Sequence, residues 1–373
     1  MKLLATCAFG VESILKREMQ DLGFEIVKSE QGKQYFNGTE ETLIKANLWL
    51  RTAERIFIVL GEKKVLSYDE LFDFIKGLNL KAFLGENGKY HLFAKSVKSK
   101  LFSPRDLQSI SKKAIIENLK IAYQKDIFLE EKEKYRIHID LENDRASLLL
   151  DTTGDSLHKR GYRQKQGEAP IKETLAATLI MLTFFDKNRT MYDPFCGSGT
   201  IAIEAAMIAK NIAPSLNRRF DFNDFHWTDK KLYKSLRKNA LESIDHDVKT
   251  KIYASDNDLE MIQIAQENAL DAGVDDLILF NHVDFEDMLF EEEYAIIVTN
   301  PPYGERLKTA EEAEVLYHEM ARKFNKLQDY SIYIISSYPG IEGIFKRKAN
   351  KTRVFFNGNI KSRFYQFFGP KPQ

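Results

Sequence analysis

Read for its apolar periodicity, the chain changes rhythm near its middle. From Leu3 to about Leu60, short alternating runs and 3.6-residue stripes predict strand, helix (Val11 to Leu22), strand, helix (Thr39 to Thr52) and strand (Arg55 to Leu60), punctuated by Gly10, Gly23 and Gly61. The next stretch predicts a short helix at Tyr68 to Ile75, a strand at Lys89 to Ser96, a long helix from Ser103 to Tyr123, and strands at Tyr135 to Asp140 and Arg145 to Asp151. Ser103 followed by Pro104 is a good helix start, because the hydroxyl can cap and the missing proline N–H costs nothing in the first turn. A basic connector, His158 to Lys165, and a helix from Lys172 to Phe185 come next. Strands then alternate with helices: Thr190 to Asp193, helix Gly199 to Lys210, Lys251 to Ser255, helix Asp258 to Ala272, Leu277 to Asn281, Tyr294 to Thr299 and Tyr330 to Ser337. Such alternation predicts an α/β fold with a largely parallel, doubly wound sheet. The end departs from it, with Thr352 to Asn357 and Arg363 to Gly369 flanking a Gly-Asn turn as an antiparallel hairpin.

The chain has 373 residues, 43% hydrophobic and 29% charged, with only 9 Pro and 19 Gly, which argues against disordered or low-complexity classes and allows two or three domains. No apolar run reaches the roughly 18 residues a membrane span needs. Cys7 and Cys196 are too few and too far apart for a disulfide framework, so a reducing, cytoplasmic setting is the expectation. No apolar segment precedes Cys7 as a lipoprotein leader would require. The seven histidines show no HExxH pairing, so no metal is expected. Lys+Arg and Asp+Glu both number 55, so any basic surface must arise from local asymmetry.

Candidate chemistry sits at two strand ends. Asp193, Pro194, Phe195, Cys196, Gly197, Ser198, Gly199 and Thr200 lie between a strand and an apolar helix, where glycines let the backbone approach a ligand and the helix start offers free N–H groups. No Gly-Lys-Ser/Thr follows, so this is not a phosphate P-loop. The spacing Gly197, Gly199, Ala202 fits GxGxxA, but the next acid at a strand end is Asp256, after a long insertion and far beyond the roughly 20 residues expected of an NAD site. Asp193 suits a ligand with a cationic amino group, and Asp256, with Asn257 beside it, suits a ribose diol; together they fit S-adenosyl-L-methionine, with S-adenosyl-L-homocysteine as product. Asp256 can also be read as a helix cap, although Asp258 is better placed for that role. Asp284 and Phe285, after the third strand, suit an adenine amine and ring face, the alternative for Asp284 being a solvated turn acid. Cys196 reads as a packing residue or as a nucleophile, and its place in the turn favours packing.

The second site, Asn300, Pro301, Pro302 and Tyr303, ends the apolar strand 295–299. Two prolines cannot continue a central ladder, so the strand must stop where α/β sheets bind ligands. An exocyclic base amine is a poor nucleophile; the Asn300 side-chain carbonyl and the Pro301 backbone carbonyl can accept its two N–H bonds while Tyr303 stacks on the base. Positioning then supplies most of the acceleration, and no catalytic histidine is expected.

These two motifs, together with Thr6 to Gly10, His158 to Arg163, Ala169 to Leu175 and Arg363 to Phe367, resemble the THUMP-domain RNA guanine-N2 methyltransferases over nearly the whole chain. The resemblance implies a ferredoxin-like portion at 1–60, a THUMP RNA-binding domain at 61–155 and a class I, seven-stranded methyltransferase domain at 156–373 with a basic connector at 156–170. It also implies that Pro170, Thr174 and Leu175 line the methionine end of the cofactor, next to Asn300. Fused enterobacterial members make 7-methylguanine with a second methyltransferase domain; this chain stops after the first. N2-methylguanosine in 23S rRNA, within free RNA or a pre-ribosomal particle, is the expected product. Alternatives are a tRNA guanine-N2 enzyme, a DNA adenine-N6 enzyme, which shares the amine chemistry, and a non-catalytic RNA-binding or assembly factor.

Basic clusters fit an RNA partner. Lys95, Lys98, Lys100, Arg105, Lys112 and Lys113 lie in a stretch with few acids, the connector adds Lys159, Arg160, Tyr162 and Arg163, and a tail with no acid beyond Glu342 adds more. For any single lysine, a solvated helix face is the plainer reading.

Overall fold

Two units emerge in the computed structural model, which describes residues 1–163, 171–302, 310–358 and 360–371. Met1–Cys7, Lys16–Leu157 and Arg218–Lys238 form one, and Ala8–Leu15, His158–Asn217 and Asn239–Gln373 the other. Neither is a single stretch of chain.

The first unit is built on β1 (Lys2–Thr6), α1 (Glu12–Asp21), β2 (Glu25–Glu30), β3 (Lys33–Asn37), α2 (Glu40–Trp49), β4 (Arg55–Lys64), α3 (Tyr68–Lys76), β5 (Lys89–Val97), α4 (Pro104–Tyr123), β6 (Lys134–Glu142) and β7 (Arg145–Asp151). Its seven strands run in the order β2-β3-β1-β4-β7-β6-β5, antiparallel except for β5 beside β6. Leu3, Leu4 and Ala5 are all buried, as a strand covered on both faces requires. The periodicity predicts a single strand between the first two helices, whereas β2 and β3 form a hairpin turning at Gly32 with φ +69°. The polar run from Lys28 to Gln34 masks that turn. The α4 start follows expectation, since the Ser103 hydroxyl accepts from the Asp106 N–H with Pro104 in the first turn.

Residues 218–238, which look like a long insertion in the sequence, complete this unit. Phe225 stacks on Tyr135 at 4.8 Å, the Trp227 indole donates to the Phe83 carbonyl at 3.1 Å, and the Arg218 guanidinium donates to the Ser156 carbonyl at 2.8 Å.

The rest of the chain contributes α5 (Glu173–Met181), β8 (Met191–Asp193), α6 (Thr200–Ala209), α7 (Lys230–Glu242), β9 (Ile252–Asp256), α8 (Leu259–Ala272), β10 (Ile278–His282), β11 (Ile296–Thr299), α9 (Ala310–Phe324), β12 (Ser331–Ser336), α10 (Ile341–Ile344), β13 (Lys351–Asn357) and β14 (Ile360–Phe367). Residues 230–238 of α7 count with the first unit. The second sheet runs β10-β9-β8-β11-β12-β14-β13, parallel up to β12, with β14 antiparallel to both its neighbours. Successive strands leave β8 in one direction and then resume from β11 in the other. The C-terminal ends of β8 and β11 therefore flank the switch point where open α/β sheets bind ligands.

Helices α7 and α9 are not anticipated by the apolar pattern. A crossover is obligatory between parallel β11 and β12, and α9 supplies it, burying Tyr317, Met320, Ala321 and Phe324 against the sheet. Its many charged residues dilute that stripe. Among the described residues no helix is long and apolar enough to cross a membrane.

Candidate active site

Strand β8 ends at Asp193, and the chain reverses through Gly197 (φ +50°) and Gly199 (φ +81°) into α6. Both glycines occupy the left-handed region that a side chain disfavours. At Gly199 a Cβ would also sit 3.0 Å from Ala265, whereas at Gly197 it would meet nothing within 4 Å, so the turn is packed on one side and open on the other. The turn is pinned to β9: the Cys196 N–H donates to the Ser255 carbonyl at 2.9 Å and the Gly197 N–H to the Asp256 carboxylate at 2.8 Å. Asn268 of α8 adds a bond to the Ser198 carbonyl at 3.1 Å.

Asp193 is fully buried, and among the described residues neither carboxylate oxygen meets a donor at full hydrogen-bond geometry. Burial first, then the Asp256 charge, push its pKa well above the usual carboxylate range, with a smaller easing by the Phe195 N–H. A buried acid with so little compensation among the described residues is costly unless a ligand provides a partner. A ligand ammonium is the natural complement, so these residues fit the amino end of a sulfonium amino acid.

Asp256 is half-buried and also accepts from the Asp258 N–H at 3.1 Å, while Asp258 itself caps α8. Burial raises its pKa against the backbone bonds from Gly197 and Asp258. The adjoining Asn257 amide donates to the exposed Asp284 carboxylate at 3.1 Å. Phe285 is buried and stacks on Phe195 at 4.9 Å. Pro194, Ser198, Thr200, Thr174 and Leu175 are buried around the turn and in α5.

Cys196 is buried, and burial together with Asp193 and Asp256 pushes its thiol well up, away from thiolate chemistry. Cys196→Ala is accordingly expected to keep turnover within a few fold of wild type in a single-turnover assay; a collapse would restore the nucleophile reading.

At the end of β11, Asn300 is buried and its side-chain carbonyl oxygen has no hydrogen-bond partner among the described residues, as is also true of the Thr299 hydroxyl. Pro301 is buried and Pro302 half-buried. Pro170 and Tyr303 lie outside the described residues.

The connector departs from expectation. Arg160 and Tyr162 are each only 2% exposed, and both donate to one oxygen of the buried Glu204, at 3.3 and 3.2 Å. Arg163 pairs with buried Glu173 at 2.7 Å and donates to the Ile171 carbonyl at 3.0 Å. These three residues are therefore not an RNA-contacting surface; they anchor the connector to α5 and α6. Sequence reasoning missed Glu204 altogether, although a lone carboxylate in the otherwise apolar helix TIAIEAAMIA is itself a sign of a buried partner. Removing one member of a buried ion pair costs about 3–5 kcal/mol. Glu204→Ala should lower unfolding stability by that order in chemical denaturation, and a loss below about 1 kcal/mol would mean the network contributes little.

Of the other basic residues, Lys95 and Lys112 pair with Asp140 at 2.9 Å and Glu130 at 2.8 Å, while Lys98, Lys100, Arg105, Lys113 and Lys159 are exposed.

Known families, sequences and solved structures resemble this chain along its whole length. Residues 160–366 match the family described as "RMKL-like, methyltransferase domain", residues 2–57 the "RlmL ferredoxin-like domain" and residues 66–151 the "THUMP domain". A Bacillus subtilis (strain 168) protein named "Putative RNA methyltransferase YpsC" is 46% identical over 374 residues, spanning 100% of this chain and 97% of that protein. A structure from Listeria monocytogenes, described as a "predicted N6-adenine-specific DNA methylase", superposes with TM-score 0.94 at 40% identity, covering 99% of this chain and 96% of its own. SMU.472, described as "a putative methyltransferase complexed with SAH", superposes with TM-score 0.94 at 39% identity, covering 100% and 99%.

Proposed function

The chain belongs to the RMKL-like methyltransferases that carry RlmL-type ferredoxin-like and THUMP domains, and from that membership we propose that it methylates the exocyclic N2 of a guanine in RNA, 23S rRNA being the substrate the reading favours. It is an S-adenosylmethionine-dependent methyltransferase. The cofactor supplies an electrophilic methyl on a sulfonium. Asp193 would hold the amino group, Asp256 the ribose diol, and Asn257, Asp284 and Phe285 the adenine end, with Pro170, Thr174 and Leu175 along the methionine.

One observation carries the chemistry: the buried carbonyl oxygen of Asn300, unpartnered among the described residues, stands at the end of β11, which neighbours β8 and Asp193 across the switch point. The guanine N2 lone pair is delocalised into the ring. Accepting both N–H bonds, on Asn300 Oδ1 and the Pro301 carbonyl, favours a pyramidal nitrogen whose lone pair is free to form the new N–C bond as the C–S bond breaks. The surplus proton then passes to solvent from a cationic product, so no side chain need act as a strong base. Reaching a paired guanine requires swinging it out of its stack, and Tyr303 is proposed to cover the extruded face. Exposed Lys98, Lys100, Arg105, Lys113 and Lys159, together with Lys95 and Lys112, which are ion-paired to Asp140 and Glu130 in this structure, are proposed to meet RNA phosphates.

The test is to incubate the protein with labelled donor and rRNA, tRNA or DNA, and to identify the methylated nucleoside by mass spectrometry. N2-methylguanosine in 23S rRNA is expected. The same nucleoside in tRNA would reassign the RNA, N6-methyladenine in DNA would keep the amine chemistry and overturn the base, and no product on any polymer would overturn the proposal.

A further inference from the structure

Beyond the C-terminal end of β12 lies a separate cavity of about 240 Å³, whose lining includes Ser336, Tyr338, Val354, Lys361 and Arg363. Ser336 pairs with Arg363 across β12 and β14, and Val354 and Phe356 pair with Arg363 and Lys361 across β13 and β14. Directly paired residues share a face, so both cations, Val354 and Phe356 project from one side of the hairpin. Lys361 and Arg363 are exposed, and among the described residues neither meets a carboxylate within ion-pair distance. Arg363 lies over the Tyr365 ring at 5.9 Å.

Next to the cations stands an aromatic pair. Phe356 is 40% exposed and Phe9 49% exposed, meeting edge to face at 6.0 Å. The turn that carries Phe9 is held against β13: Gly10 has φ +85°, and a Cβ there would approach the Val354 carbonyl to 2.9 Å. Two large rings are thus left in solvent on a fixed backbone, beside exposed positive charge. Stacking rings next to a cationic groove are how proteins hold single-stranded nucleic acid without reading its sequence.

The location supplies the ligand. β12 neighbours β11 in parallel, with Ile334 beside Thr299, so Ser336 and Asn300 stand at the same edge of the sheet. Adjacent strands are about 4.8 Å apart, a distance that the RNA flanking an extruded nucleotide must cross.

We propose that this cavity and the Phe9–Phe356 pair seat the RNA strand next to the target nucleotide, Lys361 and Arg363 taking a backbone phosphate and the rings stacking on an unpaired neighbouring base. The proposal rests on the RNA reading above and adds to it the part of the catalytic unit that grips the substrate.

The experiment uses the full chain and an RNA that the wild type methylates, with affinity measured by fluorescence anisotropy between 50 and 200 mM salt. For K361A/R363A the affinity should fall about tenfold or more at low salt, and the slope of log K against log salt should become shallower by about 0.7 for each phosphate no longer neutralised. Phe356→Ala should weaken binding about fivefold or more with the slope unchanged, and Lys361→Arg/Arg363→Lys should restore the wild-type slope. S-adenosylhomocysteine affinity, read by calorimetry, should stay within twofold throughout, about the scatter of such a comparison. Wild-type RNA affinity and slope in K361A/R363A overturn the proposal. If that variant loses cofactor binding, Lys361→Gln decides: a shallower slope supports the site, and an unchanged one overturns it. A wild type that methylates no RNA sinks the parent reading instead, which the same series distinguishes.

Discussion

Replacing Asn300 with alanine is expected to abolish measurable methyl transfer while leaving S-adenosylhomocysteine affinity within a few fold. The side-chain oxygen removed is buried and unengaged among the described residues, so its loss breaks no internal hydrogen bond there. What is lost is an acceptor aimed at charge that develops on the amine nitrogen. Removing one preorganised group of this kind lowers kcat by about 10²–10³, and the geometric role on a planar amine adds to that. Single-turnover rates with saturating RNA, beside calorimetry with the product cofactor, separate the two effects. Turnover near wild type would refute the amine mechanism, and equal loss of cofactor binding would show that Asn300 serves the cofactor instead.

Asp193→Asn is expected to act in opposite directions on stability and binding. In the free protein the buried carboxylate has no donor at full hydrogen-bond geometry among the described residues, and its pKa is raised by burial and by Asp256. A carboxyl whose folded pKa lies above its unfolded value contributes its full stability below the unfolded pKa, and that contribution is lost as pH rises through the folded one. The cofactor-free protein should therefore lose stability from this group as pH climbs above the ordinary aspartate range, and the amide variant should not. Near neutral pH the variant should melt at or above the wild-type temperature. Cofactor binding should respond in reverse. The ammonium prefers the ionised acid, so wild-type affinity should rise with pH through the shifted titration, whereas the variant should bind about 10- to 100-fold more weakly and show less pH dependence, the loss expected for a charge-assisted hydrogen bond. Melting curves with and without S-adenosylhomocysteine across pH read both effects. A variant that melts lower and binds normally would remove Asp193 from the site.

Much of the second unit was legible because its signals are local. Paired glycines after Asp193, paired prolines after Asn300 and an acid after each intervening strand each dictate a backbone event at one place, and β8, β9, β10 and β11 deliver all of them to the same edge of the sheet. What escaped was long-range. Arg160, Tyr162 and Arg163 look like a basic surface patch, because charged side chains are mostly exposed and are buried only where a partner, invisible in the local sequence, pairs with them. Their fate is decided by Glu204, 42 to 44 residues away in sequence, and by Glu173 in α5. The partner that makes the burial of Arg160 tolerable sits in a helix whose composition otherwise reads as pure core. Residues 218–238 escaped similarly: their aromatic residues are committed to Tyr135 and Phe83, far back along the chain.

That crossing of segments has a consequence for synthesis at the ribosome. The first unit includes Phe225 and Trp227, and the second includes residues 8–15, so the first unit's residues are not all in hand until synthesis has passed residue 238. At about 5–20 residues per second, synthesis from residue 157 to residue 238 leaves Tyr135 and the Phe83 carbonyl waiting for several seconds. A gene cut at the apparent boundary would yield one fragment short of its aromatic cover and another short of the turn that lies against β13.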